Sequence, residues 1–194
     1  MSIEFFLLLC AAYLIGSISF AVVLSKQGKL PDPRSFGSGN PGASNMLRLG
    51  GRSLALTTLL GDLGKGALAV WIAGFWNPDP AALGWIGLAA VCGHILPAYH
   101  RLQGGKGVAT AAGVLLMLSW PMALIAVLLW LSVFAWRRIA SLASMAACTG
   151  LLPWFAWQRP ELLIPCGLMI ALILLRHRVN IGRLLDGSEN HFKR

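Results

Sequence analysis

Seven runs of apolar residues, three of them long enough to cross a bilayer unaided, are strung together by polar breaks. The runs cover residues 3–24, 54–76, 81–99, 107–119, 122–136, 142–157 and 162–175. A spanning helix needs about 20 mostly apolar residues. Seven such spans use about 140 of the 194 positions, which leaves no room for a separate soluble domain. The composition agrees: 57% of residues are hydrophobic and 12% charged. That much apolar surface exceeds what a soluble domain of this size can hide, and it excludes intrinsic disorder. The chain is therefore expected to be a single polytopic domain, residues 1–194, all-α and integral to a membrane.

Charge placement orients it. With seven spans and the N-terminus outside, Lys26, Lys29, Arg34, Arg48, Arg52, Arg101, Lys106, Arg137, Arg138, Arg176, Arg178, Arg183, Lys193 and Arg194 all fall inside. Only Arg159 falls outside, and Lys65 lies within a span. Reading residues 107–136 as one helix kinked at Pro121 gives six spans and divides the cations almost evenly. The positive-inside bias selects seven spans, with the C-terminus cytoplasmic. The net charge of +9 is then flanking charge, and a nucleic-acid partner is not expected. The first run carries Glu4 and no basic residue at its start and is followed by Lys26, the reverse of a signal peptide's charge order. It reads as a retained helix. Cys10, Cys92, Cys148 and Cys166 show no metal-ligand spacing and read as packing residues.

The unusual residues collect on the inside face. The first loop reads Ser35-Phe-Gly-Ser38-Gly39-Asn40-Pro41-Gly42-Ala43-Ser44-Asn45, followed by Arg48. Small residues let backbone approach a ligand, and the helix that follows points its positive end inward, a combination that suits phosphate. The second loop, Gly104-Gly105-Lys106-Gly107-Val108-Ala109-Thr110, also opens an outward-running helix. It is not a Walker A loop, because glycine follows the lysine. A third helix opens near Ser141 and Ser144, after Arg137-Arg138, so three positive helix ends are expected to converge on an anion. The tail adds His177, Asn180 and acidic residues among arginines. Asp62 and Lys65, inside the second span, are spaced to pair on one helix face, and His94 lies in the third span. No GxSxG, HExxH or metal cluster is present, and no histidine has aspartate five positions on. The residues point to holding anions more than to a protein nucleophile. An organic-phosphate transporter is the alternative reading. Such a transporter would place its site near the midplane and show repeat symmetry.

Three segments resemble the bacterial PlsY family of acyl-phosphate:glycerol-3-phosphate acyltransferases. They are residues 37–45 with Arg48, residues 104–110, and His177-Arg-x-Asn180-Ile-x-Arg183-Leu-x-x-Gly187-x-Glu189. Gly16-Ser17-Ile18 and Asp62-x-x-Lys65-Gly66 match as well. Ser19 stands where the family often has proline, and Ser44 where it often has threonine. The resemblance covers essentially the whole chain. It implies transfer of an acyl group from acyl phosphate to the 1-hydroxyl of glycerol 3-phosphate, at the cytoplasmic face of a bacterial inner membrane. No cofactor or metal is implied, the other partner is membrane lipid, and a monomer suffices. The catalytic set would be His177, Lys106, Asn180 and Ser141. Substrate phosphates would be held by Ser38, Gly39, Asn40, Gly42, Ser44, Asn45, Arg48, Gly104, Gly105, Gly107 and Thr110.

Overall fold

The structure is a computed structural model that describes residues 2–76 and 79–192. Residues 77 and 78, between the second and third apolar runs, and Lys193 and Arg194 lie outside these. Among the described residues every regular element is helical. In chain order they are α1 (Ile3–Gly16), α2 (Phe20–Gln27), α3 (Ala43–Gly74), α4 (Pro80–Ile95), α5 (Val108–Leu118), α6 (Trp120–Arg137), α7 (Ala140–Thr149), α8 (Leu152–Gln158), α9 (Leu163–Arg176) and α10 (Arg178–Leu185). Each apolar run of the sequence becomes one helix or a broken pair.

Among the described residues three helices, α3, α4 with its following turn, and α6, are long and apolar enough to cross a membrane. The count rises to five if α1–α2, bent by 41°, and the last two helices, bent by 57°, each make one span. Helix α5 is apolar but shorter. Residues 107–136 form two helices, because Ser119 is extended and Trp120-Pro121 starts a new one. Helix α3 starts well before the apolar run, at Ala43, and is kinked where Gly50 and Gly51 leave helical geometry.

Lipid offers no hydrophobic gain for helix association, so close packing must hold the bundle. Glycines supply it. A Cβ on Gly66 would strike the Thr110 carbonyl, and one on Gly113 the Leu63 carbonyl, so α3 and α5 touch backbone to backbone. Gly16 and Gly93 do the same for α1 and α4, against Ala90 and Tyr13. Outward, Leu7, Leu60, Leu124, Leu128, Leu131 and Ile164 are exposed, as lipid-facing positions are in a membrane protein. Cys10 is exposed on α1, whereas Cys166 is buried.

The first loop, the Gly104–Gly107 loop, the Arg137-Arg138 turn and the tail meet one another. Arg34 donates to the His100 carbonyl at 3.3 Å, Lys106 to Asn180 at 2.6 Å, and the Phe192 amide to the Arg138 carbonyl at 2.9 Å. These ties assemble four segments distant in sequence into one surface.

Candidate functional site

Asn45 organises the first loop. It is 1% exposed. Its amide nitrogen donates to the Pro33 and Phe36 carbonyls, each at 2.9 Å, and its oxygen accepts the Ser38 N–H at 3.1 Å. Gly37, whose φ is +57°, lies so close to that oxygen that a side chain there would collide with it. The loop is thus wound around a buried amide, and Ser38, Asn40, Ser44 and Arg48 line a cavity beside it.

The second loop is clamped from two sides. The Gly105 N–H donates to the His94 carbonyl at 3.1 Å. Arg176 donates to the Gly104 carbonyl at 2.8 Å and to the Gly105 carbonyl at 3.2 Å. Gly107, at φ +90°, then caps α5. The first α5 amide to find a helical partner is that of Ala111, which bonds Gly107, so the preceding amides project from the helix end.

Between these loops and the tail lies a polar pocket of about 90 Å³. Ser38, Arg48, Lys106, Ser141, His177, Asn180, Arg183 and Glu189 are among its walls. One hydrogen-bonded chain runs through it: Lys106 donates to the Asn180 oxygen, the Asn180 amide donates to Glu189 at 2.8 Å, and Ser141 donates to the same Glu189 oxygen at 3.0 Å. Burial pushes the Lys106 ammonium down to about 8, opposed by Glu189 and assisted by Arg183, Arg176 and Arg48. His177, just beyond α9, is pushed down to about 4 by burial and by Lys106. Its Nδ1 lies 2.8 Å from the Ile173 carbonyl, which only accepts. Nδ1 therefore carries the proton, and Nε2 is left as the acceptor of a neutral ring.

A second cavity, about 450 Å³, runs down into the bundle. Its walls are mostly apolar, from Val108 to Leu118 on α5, Ala126 to Leu131 on α6, Ala147 and Cys148 on α7, and Met169 to Ile173 on α9. The first turns of α3, α5 and α7 all reach it, at Ala43, Val108 and Ala140. The two cavities share Asn40, Ser44, Lys106, Ala140 and Ser144. A charged headgroup and an apolar chain can thus occupy continuous space, with Lys106 at the join.

Most of the residues singled out in sequence meet here. Ser38, Asn40, Ser44, Asn45, Arg48, Lys106, Ser141, His177 and Asn180 line the polar pocket, and Gly42 and Gly107 line the apolar one. Gly39, Gly104, Gly105 and Thr110 line neither. Gly104 and Gly105 pack on His94, and Thr110 is fully buried against Gly66. The Asn45 side chain lines the pocket, but its amide is committed to the loop. Sequence reasoning did not assign site roles to Arg183, Glu189 and Ser144, nor to Asn190 and Phe192. Glu189 and Arg183 were visible inside the tail motif. The Phe192 ring, which meets Phe134 edge-on at 5.5 Å and lies under Arg48, carries no local signal.

The sequence matches the model of a family described as glycerol-3-phosphate acyltransferase over residues 6–187. A glycerol-3-phosphate acyltransferase of Pseudomonas syringae pv. tomato is 53% identical, covering 97% of this chain and 98% of its own. One from Pseudomonas putida strain GB-1 is also 53% identical, over 97% and 100%. Among solved structures, PlsY (YgiH), an integral membrane glycerol 3-phosphate acyltransferase in its glycerol 3-phosphate form, superposes with a TM-score of 0.92 at 39% identity, covering 97% and 96%. Its lysophosphatidic acid form gives 0.90 at 38% identity, covering 97% and 95%.

Proposed function

The chain belongs to the glycerol-3-phosphate acyltransferase family, and on that premise we propose that it uses acyl phosphate as donor. It transfers the acyl group to the 1-hydroxyl of glycerol 3-phosphate and releases 1-acyl-glycerol 3-phosphate (lysophosphatidic acid) and inorganic phosphate. The observation that carries this reading is the junction of an apolar cavity with a cationic pocket at Asn40, Ser44 and Lys106. Acyl phosphate has this shape: a hydrocarbon tail ending in an anionic head.

In this reading the tail lies along α5 and the donor phosphate rests against Asn40, Ser44, Lys106 and the projecting amides of α5. Glycerol 3-phosphate occupies the polar pocket, its phosphate held by Arg48 and Arg183 and its hydroxyls by Ser38, Ser141, His177 and Asn180. The hydroxyl oxygen attacks the acyl carbon, the carbon–oxygen bond to phosphate breaks, and the hydroxyl proton ends on the departing phosphate. His177 Nε2 accepts the hydroxyl's hydrogen bond and aims it. With a pKa near 4 the ring is a poor match for a general base at neutral pH. Catalysis then comes from positioning and from Lys106 stabilising the leaving phosphate, with no acyl-enzyme.

The same proposal includes seven spans: α1–α2, α3, α4, α5, α6, α7–α8 and α9. The N-terminus lies outside, and the site faces the cytoplasm at the inner membrane. The distribution of cations supports this orientation. One chain builds both cavities, which supports a functional monomer.

The test is to supply the purified protein in detergent with palmitoyl phosphate and glycerol 3-phosphate, and to follow phosphate and acyl-glycerol phosphate. The expected result is stoichiometric formation of both, with acyl-CoA inert as donor. Turnover with acyl-CoA and none with acyl phosphate would overturn the donor assignment. No transfer with either would turn attention to phosphate-ester flux across sealed vesicles.

A further inference from the structure

Three ionisable side chains lie buried between α3 and α4 and take no part in the chemistry above: Asp62, Lys65 and His94. They are 2%, 4% and 7% exposed. Lys65 Nζ stands 2.8 Å from Asp62 Oδ1, and His94 Nδ1 is 3.6 Å from the same oxygen. Lys65 also donates to the Ile18 carbonyl at 2.6 Å. That carbonyl lies in the unwound turn between α1 and α2.

Such groups are expensive inside a bundle, and an apolar set of similar volume holds helices together as well or better. At the far end of the trio, His94 grips the second loop twice. Its carbonyl takes the Gly105 N–H, and its ring lies so close to Gly105 that no Cβ fits between them. Arg176 fixes the other side of the same two glycines through their carbonyls. The next residue is Lys106, which stands where the two cavities join.

We propose that Asp62, Lys65 and His94 are positioning residues for Lys106. The trio ties the Gly104–Gly105 backbone to the unwound turn of the first span, and so sets where the Lys106 ammonium meets the donor phosphate. Lys65 holds the Asp62 carboxylate beside the His94 ring, and the Ile18 carbonyl anchors Lys65. The inference rests on Lys106 being the ligand of the transferring phosphate.

The experiment is a double-mutant cycle on the purified full chain, with folding checked by monodispersity and thermal unfolding in detergent. His94→Ala is expected to lower kcat by about 10²-fold, as a displacement near 1 Å does. The KM for glycerol 3-phosphate should stay within a few fold. In a Lys106→Met background the same substitution should cost no more than about twofold, because its route of action is already gone. The alkaline limb of the rate profile, which Lys106 sets in the company of Glu189, Arg183, Arg176, Arg48 and His177, should move upward in His94→Ala as the ammonium loosens into solvent.

A full loss repeated in the Lys106→Met background, or an unmoved alkaline limb, would overturn the inference. Lys106→Met retaining normal turnover would instead overturn the reading of Lys106 itself, so the two failures are distinct. If His94→Ala does not fold, His94→Gln carries the same cycle. If neither folds, the charge-balanced pair Asp62→Asn with Lys65→Met carries it with the same criteria.

Discussion

The two cavities share five residues and little else. The larger is walled mostly by apolar side chains on α5, α6, α7 and α9, and what it asks of a ligand is shape. The smaller is built from loop and tail residues whose side chains are tied to one another across the whole sequence. Lys106 is joined to Asn180, Asn180 to Glu189 and Glu189 to Ser141. Apolar packing is non-directional, so a wall residue can be exchanged for another of similar volume at modest cost. A buried polar network has no such tolerance, because every group left unpaired keeps its desolvation penalty. The difference predicts that substitutions in the pocket change rate, while substitutions in the groove change which donor is used.

The largest expected effect sits at the join. Lys106→Met should lower kcat by about 10³-fold, the order seen when one charge stabiliser is removed from a transition state. Loss of less than about tenfold in steady-state assays would break the comparison at its centre. His177→Gln comes next, with a fall of about 10- to 100-fold, the worth of one strong hydrogen bond to substrate. A loss of 10⁴-fold would instead make His177 the general base.

The groove gives a smaller and more selective effect. Ala147 is 6% exposed and lines it. Ala147→Leu should reduce kcat/KM for palmitoyl phosphate by about tenfold, consistent with one to two kcal/mol of overpacking. A four-carbon donor should be unaffected, and so should the KM for glycerol 3-phosphate. Equal losses for both donors would mean that the groove does not hold the chain.

The smallest effect is the pH response. Lys106 is cationic below about 8 and loses its charge above it. The sign is therefore a decline on the alkaline side: kcat/KM should fall about twofold between pH 7 and pH 8 and about fivefold between pH 8 and pH 9. Lys106→Arg, if active, should be flat over that range, since guanidinium stays charged. An unchanged limb in that variant would assign it to another group.

The helices were legible in the sequence because apolar run length is a local signal, and the break at Trp120-Pro121 is marked by proline. The opening of α3 at the end of the first loop was legible too, whereas its kink was not, because nothing local distinguishes Gly50 and Gly51, which leave helical geometry, from glycines that stay in it. The Asp62–Lys65 pair followed from helical spacing, whereas the approach of His94 needs the packing of α4 on α3. Most of the pocket followed from the clustering of Ser, Asn, Gly and Arg in two loops. Asn45 shows what that signal omits: a polar residue in a phosphate-like loop whose amide is consumed in shaping the loop. Thr110 shows the same at a helix crossing, where its carbonyl meets Gly66. The fold-back that brings Glu189 and Phe192 over the pocket depends on contacts far along the chain, with Ser141, Arg138 and Phe134. No local pattern encodes such contacts.

The central claim is that both substrates are held at once and the acyl group passes directly between them, and rapid mixing of enzyme with acyl phosphate alone tests it most directly. Direct transfer requires that no phosphate be released until glycerol 3-phosphate is added, and then that phosphate and acylated product appear in step. A burst of one phosphate per enzyme in its absence, with the acyl group retained on the protein, would show a covalent intermediate and contradict the account.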